Sequence, residues 1–145
     1  RHFLIKRALK MGIPAERIQE LCTGNDFLDS VLEKFAAWQA GSPDIMNKAI
    51  FLEMSAEASR SPEIAQAIRD SDTLVREEFE RWLQLPRSEG GLGVTAGQAR
   101  ERGIFMQCLI EGLVVRAARD PHLDPQAIRR ALEPVFRHLG FLPPA

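Results

Sequence analysis

Helix-start signals recur along this chain and limit most strongly what it can fold into. Residues 42–45 (SPDI) and 61–64 (SPEI) repeat one phrase: a serine N-cap, a proline at the first helical position and an acid that the helix dipole favours. Thr95 and Gln98 have the spacing of a capping box, and Asp124 stands before another proline. Strand-like alternation bounded by turns is absent. The sequence therefore predicts an all-α fold.

These signals divide the chain into a bundle of about six to seven helices. Asp26 is the predicted cap of one helix, Gly41 ends it, and the glycine-rich loop 86–94 is the clearest break. That loop is too short to be a domain linker. The predicted helices lie near residues 3–10, 14–22, 27–40, 43–59, 62–84, 95–119 and 124–139.

Composition indicates one ordinary domain. The chain has 145 residues and a formal net charge of −1, so nothing in the totals indicates nucleic acid or a membrane surface as a partner. No apolar run approaches the ~20 residues of a membrane span. Cys22 and Cys108 are far apart and have no CxxC motif, which fits inert thiols in a reducing cytoplasm.

The predicted helix 95–119 has two apolar stripes where a surface helix needs only one. One stripe can face its own core, and the other needs a partner, which we take to be a second copy of the chain; the alternative is a thick monomeric core. Gly103 and Gly112 would let helices approach closely. The predicted dimer interface comprises Gly103, Ile110, Leu113, Val114, Ala117, Ile128, Leu132, Val135 and Phe136.

Catalytic signals are weak. The three histidines, His2, His122 and His138, stand in no ExxH or HExxH pattern, so neither a metal site nor a bound cofactor is expected. Residues 8–21 match the spacing of a generic helix-turn-helix, but a connecting helical hairpin is the more economical interpretation. The chain is not expected to be an enzyme.

Large aromatic residues and methionines project from several helices and are typical of an adaptable apolar binding site as well as of an ordinary core. The predicted ligand-binding residues are Phe27, Val31, Phe35, Trp38, Ile50, Met54, Glu57, Phe79, Trp82, Phe105, Met106 and Leu109. Glu53 and Glu57 lie one turn apart on an apolar helix. They are either solvated or paired with arginines of a neighbouring helix, or one of them is a polar anchor for a cationic or hydroxylated ligand.

Three segments together resemble a known family. The sequences FLEMSAEASRSPEIAQAIRD, VREEFERWL and GIFMQCLIEGLVVRAARDPHLDPQAIRRAL are similar to the carboxy-terminal effector domain of TetR/AcrR-type transcriptional regulators. The similarity covers about residues 27–140. Residues 1–24 would then be connecting helices after a missing amino-terminal helix-turn-helix domain, and residues 25–145 the effector-binding and dimerisation domain.

The resemblance implies a homodimer in which the last two long helices form a four-helix bundle with those of the partner. It also implies a small hydrophobic effector whose binding changes the spacing of the DNA-binding heads. The chain would be part of a bacterial, cytoplasmic repressor that reaches operator DNA only through the missing domain. The alternative is a stand-alone helical module that binds a protein partner. The sequence does not identify the effector, the operator or whether ligand releases DNA.

Overall fold

The computed structural model describes residues 27–41 and 48–143. Within these ranges the fold is all-α and contains no strand, which confirms the predicted class. A short 3-10 turn, Arg87–Glu89, joins the third and fourth helices. The helices are α1 (Phe27–Ala40), α2 (Lys48–Ala58), α3 (Pro62–Gln84), α4 (Ala96–Arg119) and α5 (Pro125–His138). The predicted helices near 3–10 and 14–22, and the caps at Asp26 and Ser42, lie outside the described residues.

The predicted caps at the starts of α3, α4 and α5 are confirmed. Ser61 Oγ accepts a hydrogen bond from the backbone N–H of Ile64 at 3.3 Å. At the start of α4 the capping box is complete in both directions, since the Thr95 hydroxyl and the Gln98 side chain each accept from the other residue's backbone N–H. At the start of α5 the Asp124 carboxylate accepts a hydrogen bond from the backbone N–H of Gln126 at 3.0 Å. Each cap satisfies a backbone donor that would otherwise have no intrahelical partner.

The glycine-rich loop between α3 and α4 is bonded to the end of α3. The backbone N–H groups of Gly93 and Val94 donate to the carbonyls of Leu85 and Leu83 at 2.7 and 3.2 Å. The Trp82 indole N–H donates to the Gly90 carbonyl at 2.9 Å. The loop therefore positions the start of α4 against the end of α3.

Helix α1 has six buried residues among its 14. It packs against α4 and α5, while α2 packs against α3 and α4, and α3 also packs along α4. Gln39 Nε2, at the end of α1, donates to the carbonyl of Leu123 at 2.8 Å, just before α5. The ring of Phe27, at the start of α1, lies 5.5 Å from the ring of Phe136 near the end of α5. Helices α1 and α5 are therefore antiparallel.

One end of the bundle is filled by five aromatic rings. We call this cluster the aromatic end; its ring centroids lie 4.9–6.3 Å apart, within the range of favourable aromatic pairs. It joins the start of α1, the end of α3 and the end of α5. The tail after α5 contributes a ring that is 4% exposed and that we had not predicted to be in the core. The aromatic end comprises Phe27, Phe79, Trp82, Phe136 and Phe141.

Gly91 is the position where an added methyl group should be most harmful. A Cβ at Gly91 would lie 2.3 Å from the Leu85 carbonyl oxygen and 2.5 Å from that of Trp82. We expect Gly91→Ala to lower the free energy of unfolding by at least about 1–3 kcal/mol, because backbone atoms cannot move away easily. Urea unfolding followed by circular dichroism measures this.

Gly97, in the first turn of α4, is the matched control. A Cβ there would meet no atom within 4 Å, so Gly97→Ala should leave stability unchanged or raise it by up to about 1 kcal/mol through helix propensity. Equal stability changes in the two variants would contradict the close approach at Gly91.

Candidate functional site

The residues predicted to bind a ligand fall into two separate buried clusters. The smaller cluster has Met54 of α2 and Ile64 of α3 at its centre, with Ile50 packed against it. Phe105 and Leu109 are only partly buried and pack against the larger cluster, which we call the main core. The predicted residues within the main core are Phe27, Val31, Phe35, Trp38, Phe79, Trp82 and Met106.

Three of the predicted ligand residues belong to the aromatic end. Phe27 lies 6.1 Å from Phe79 and 6.3 Å from Trp82, measured between ring centroids. All three side chains are at least 93% buried, so these rings cover one another. They stabilise the fold and offer little free surface to a ligand.

Trp38 lies at the opposite end of α1 and is different in one respect. The residue is 3% exposed, and its indole N–H has no hydrogen-bond partner in the part of the chain that the structure describes. The backbone around it is held from two sides. Lys48 Nζ, at the start of α2, donates to the Trp38 carbonyl at 2.8 Å, and Gln39 Nε2 donates to the Leu123 carbonyl. The indole is therefore rigidly placed but unpaired.

The two acids on α2 do not lie together inside the protein. Glu53 is exposed. Glu57 Oε2 forms an ion pair at 3.1 Å with Arg60, which follows the end of the same helix. The arginine that pairs with Glu57 therefore belongs to the same segment and not to a neighbouring helix. A cationic ligand anchored by Glu57 would have to compete with Arg60.

The residues predicted to form the dimer interface differ in their exposure within the chain. Six of them are buried: Gly103, Leu113, Val114, Ala117, Leu132 and Phe136. Ile110 and Ile128 are partly buried against the main core. Val135 is 38% exposed and remains available.

Gly103 lies where α4 contacts α3 of the same chain. An ideal Cβ at this position would lie 3.0 Å from Arg76 Cγ and 3.3 Å from Glu80 Cγ, both on α3. The glycine therefore permits a close approach between α3 and α4 of the same chain. Periodicity identified the two stripes of α4 but could not say which one faced inward.

The outward stripe of α4 is the apolar surface that the fold leaves open. Ile104 is 50% exposed, and Cys108 and Gly112 are also exposed. Phe105, Leu109 and Val115 are partly buried along the same stripe. We define the open face as Ile104, Cys108 and Gly112, which follow one another at four-residue spacing along α4.

A polar network, which periodicity did not predict, joins α3 to α4. Arg76 Nη1 donates to Gln107 Oε1 at 2.9 Å, and Gln107 Nε2 donates to the Asp72 carbonyl at 2.7 Å. Burial raises the pKa of the Asp72 carboxyl, and the Arg76 guanidinium opposes this rise. Burial and then the negative charge of Asp72 raise the pKa of the Glu111 carboxyl. The contact between α3 and α4 thus brings two carboxyls into repulsion.

Comparison with known proteins identifies the class of this all-helical domain. Residues 26–139 match the family described as BetI-type transcriptional repressor, C-terminal. The chain therefore belongs to this family, as the resemblance to TetR-type regulators predicted. Its members are regulators rather than enzymes, and their C-terminal domains generally dimerise and bind effectors. Neither a curated protein nor a solved structure matches the chain.

The described residues contain no group of three or more histidine, cysteine, aspartate or glutamate side chains placed to hold a metal ion. Within the same ranges, each helix is too short or too polar to cross a bilayer.

The Asp72 and Glu111 carboxyls should make stability depend on pH. A carboxyl whose pKa is raised by folding gives stability that is fully present below its unfolded pKa and is lost as pH rises through its folded pKa. The ordinary values are 3.8 for Asp72 and 4.5 for Glu111. We expect Glu111→Gln to raise the free energy of unfolding at neutral pH by about 0.2–0.5 kcal/mol, a small effect because Glu111 is exposed.

Urea unfolding at a series of pH values from about 4 to 7.5 tests this expectation. The loss of stability with rising pH should be smaller in Glu111→Gln than in the wild type. Glu101→Gln removes the same charge from an exposed position of α4 and is the control. If both variants follow the same pH profile, the repulsion between α3 and α4 is not significant.

Proposed function

We propose that this chain is the effector-binding and dimerisation part of a ligand-responsive, cytoplasmic transcriptional repressor. Membership of the BetI-type family supports the class of protein. The observation that carries the effector proposal is the division of the buried apolar residues into two clusters that do not merge. A domain of this size usually has one contiguous core, with small satellite clusters beneath loops. Here the second cluster lies instead between two helices of the bundle.

The proposed effector site lies between these clusters. Trp38 and Met106 are on the main-core side, and Met54 and Ile64 are on the other. On α2, the adjacent residues Ile50 and Phe51 pack against different clusters, so this helix spans the division. Methionine side chains such as Met54 and Met106 adapt to ligands of irregular shape.

Effector binding at this place would act through the helices that enclose it. Helix α2 packs against α3 and α4, and the end of α1 is tied to α2 by Lys48. A ligand that separates α2 from α1 would favour one arrangement of these helices. It changes the equilibrium only by its difference in affinity for the two arrangements. We infer that α1 transmits this change to residues 1–24, which connect to the DNA-binding heads.

The proposed dimer uses the open face of α4 and the exposed Val135 of α5. Ile104 and Val135 are the large apolar side chains exposed on these two helices. Covering them with the same face of a second copy produces a self-complementary two-fold interface. This keeps the predicted four-helix bundle but builds it from the outward stripe of α4.

A thermal-shift screen of hydrophobic compounds followed by methionine-methyl NMR tests the effector site. A compound that binds the folded chain stabilises it in proportion to RT ln(1 + [L]/Kd). The chain has four methionines, of which Met54 and Met106 lie on the two sides of the proposed site. We expect both of their methyl resonances to shift with each stabilising compound.

Stabilising compounds that leave both resonances unchanged would place the site elsewhere. If a broad library at high concentration yields no stabilising compound, the effector proposal fails. That result would favour the alternative of a helical module that binds a protein partner.

Ile104→Arg should dissociate the proposed dimer. A buried, unpaired guanidinium at the centre of an interface is strongly unfavourable, so we expect the dissociation constant to rise at least about 100-fold. Sedimentation equilibrium at micromolar concentration measures it. Leu74→Arg is the matched control, because Leu74 is 68% exposed on α3, away from the open face. Similar dissociation constants for the two variants would exclude the open face as the interface.

A further inference from the structure

The Trp38 indole N–H is an exception in the interior of this protein. In the described ranges, it is the one buried side-chain nitrogen or oxygen atom without a hydrogen-bond partner. An unmade hydrogen bond of a buried donor is costly, and such groups are rare in folded proteins. Evolution could have avoided this cost with phenylalanine, which has nearly the same shape and no donor. The donor therefore calls for a functional explanation.

The surroundings of Trp38 are otherwise well bonded. Its carbonyl accepts from Lys48 Nζ at 2.8 Å, and the next residue, Gln39, donates to the carbonyls of Leu123 and Asp120. The other tryptophan, Trp82, donates its indole N–H to the Gly90 carbonyl at 2.9 Å. Local disorder of the packing is therefore not the reason that Trp38 is unpaired.

A buried water is a poor partner for this indole. An ordered interior water needs two to four polar contacts, roughly three on average. The described part of the chain buries no polar or charged residue, and it has no second unpaired side-chain atom to hold such a water. The same absence argues against a charged ligand, since a charge inside the protein needs an opposite charge or several hydrogen bonds.

We propose that the Trp38 indole N–H donates a hydrogen bond to an acceptor oxygen of the effector, and that the effector is a neutral, mainly apolar molecule with a carbonyl or ether oxygen. This inference rests on the proposed effector site, of which Trp38 forms one wall. Apolar contacts with Met54 and Met106 supply most of the affinity. The indole selects ligands that place one oxygen at the end of α1.

Matched pairs of probes test this selection directly. Acetophenone and methyl nonyl ketone each have a methylene isostere in which CH2 replaces the carbonyl oxygen: α-methylstyrene for the first and the corresponding terminal alkene for the second. Shape is conserved within each pair, and only the acceptor is lost. We expect the wild-type chain to prefer the ketone by about 5- to 100-fold in Kd, because a buried donor stays unpaired with the alkene.

The two tryptophans supply an internal control for NMR. With ¹⁵N-labelled indole, the chain gives one Nε1–H resonance for Trp38 and one for Trp82. The ketones should move the Trp38 proton resonance downfield, as a new hydrogen bond does, and the alkenes should not. The Trp82 resonance, already bonded to Gly90, should stay nearly unchanged.

Substitution of each tryptophan separates a role in recognition from a role in packing. In Trp38→Phe the preference for ketone over alkene should disappear, so that the ratio of their Kd values is about one, while the alkenes still bind. Trp82→Phe should keep the preference for ketones but be less stable, because it lacks the hydrogen bond from the indole to the Gly90 carbonyl. If Trp38→Phe does not fold, the NMR measurement on the wild-type chain still decides the question.

The outcomes distinguish this inference from the proposed function. Ketones and alkenes that bind equally well, with no shift of the Trp38 resonance, would overturn the inference and leave the effector site intact. A Trp38 resonance already shifted as in a hydrogen bond in the free protein would also overturn it, since a water then occupies the donor. If no probe binds and the wider library yields no stabilising compound, the proposed function itself fails.

Discussion

Burial of α1 is the interaction on which the rest of the structure depends. Leu28 and Phe35 are no more than 1% exposed, and the helix is packed between α4 and α5. Each large side chain removed from water in this way contributes about 1.5–3 kcal/mol before entropy is counted. Helices α4 and α5 are joined by a short loop, and α1 fills the space that both of them face. Their positions are therefore set by a helix that comes much earlier in the chain.

The two ends of α1 differ in how they are bonded to the rest of the protein. At its start, Phe27 lies among four other rings, which close the bundle mainly with apolar contacts. At its end, polar side chains from α2 and from α1 itself hold the backbone, and the indole of Trp38 is left without a partner. A rigid end keeps the fold intact, and an incompletely satisfied end can gain stability from a ligand.

Helix starts were predictable because they depend on residues two or three positions apart. Ser61, Thr95 and Asp124 cap their helices as predicted, because the cap and the donor that it satisfies are neighbours in sequence. The family was also predictable, because its segments are continuous in sequence. The face of α4 that turns inward was not. Both stripes are apolar, and only contact with Arg76 and Glu80 of α3 shows that Gly103 lies inside.

The sequence by itself determined the all-α class, the starts of α3, α4 and α5 and the family to which the domain belongs. It also indicated a group of aromatic and methionine residues from which a binding site could be formed. Only the tertiary structure decided that Phe27, Phe79 and Trp82 cover one another while Trp38 retains an unpaired donor. The physical reason is that caps and periodicity are local properties, whereas burial and hydrogen-bond partners depend on helices that are distant in sequence and meet only in the folded chain.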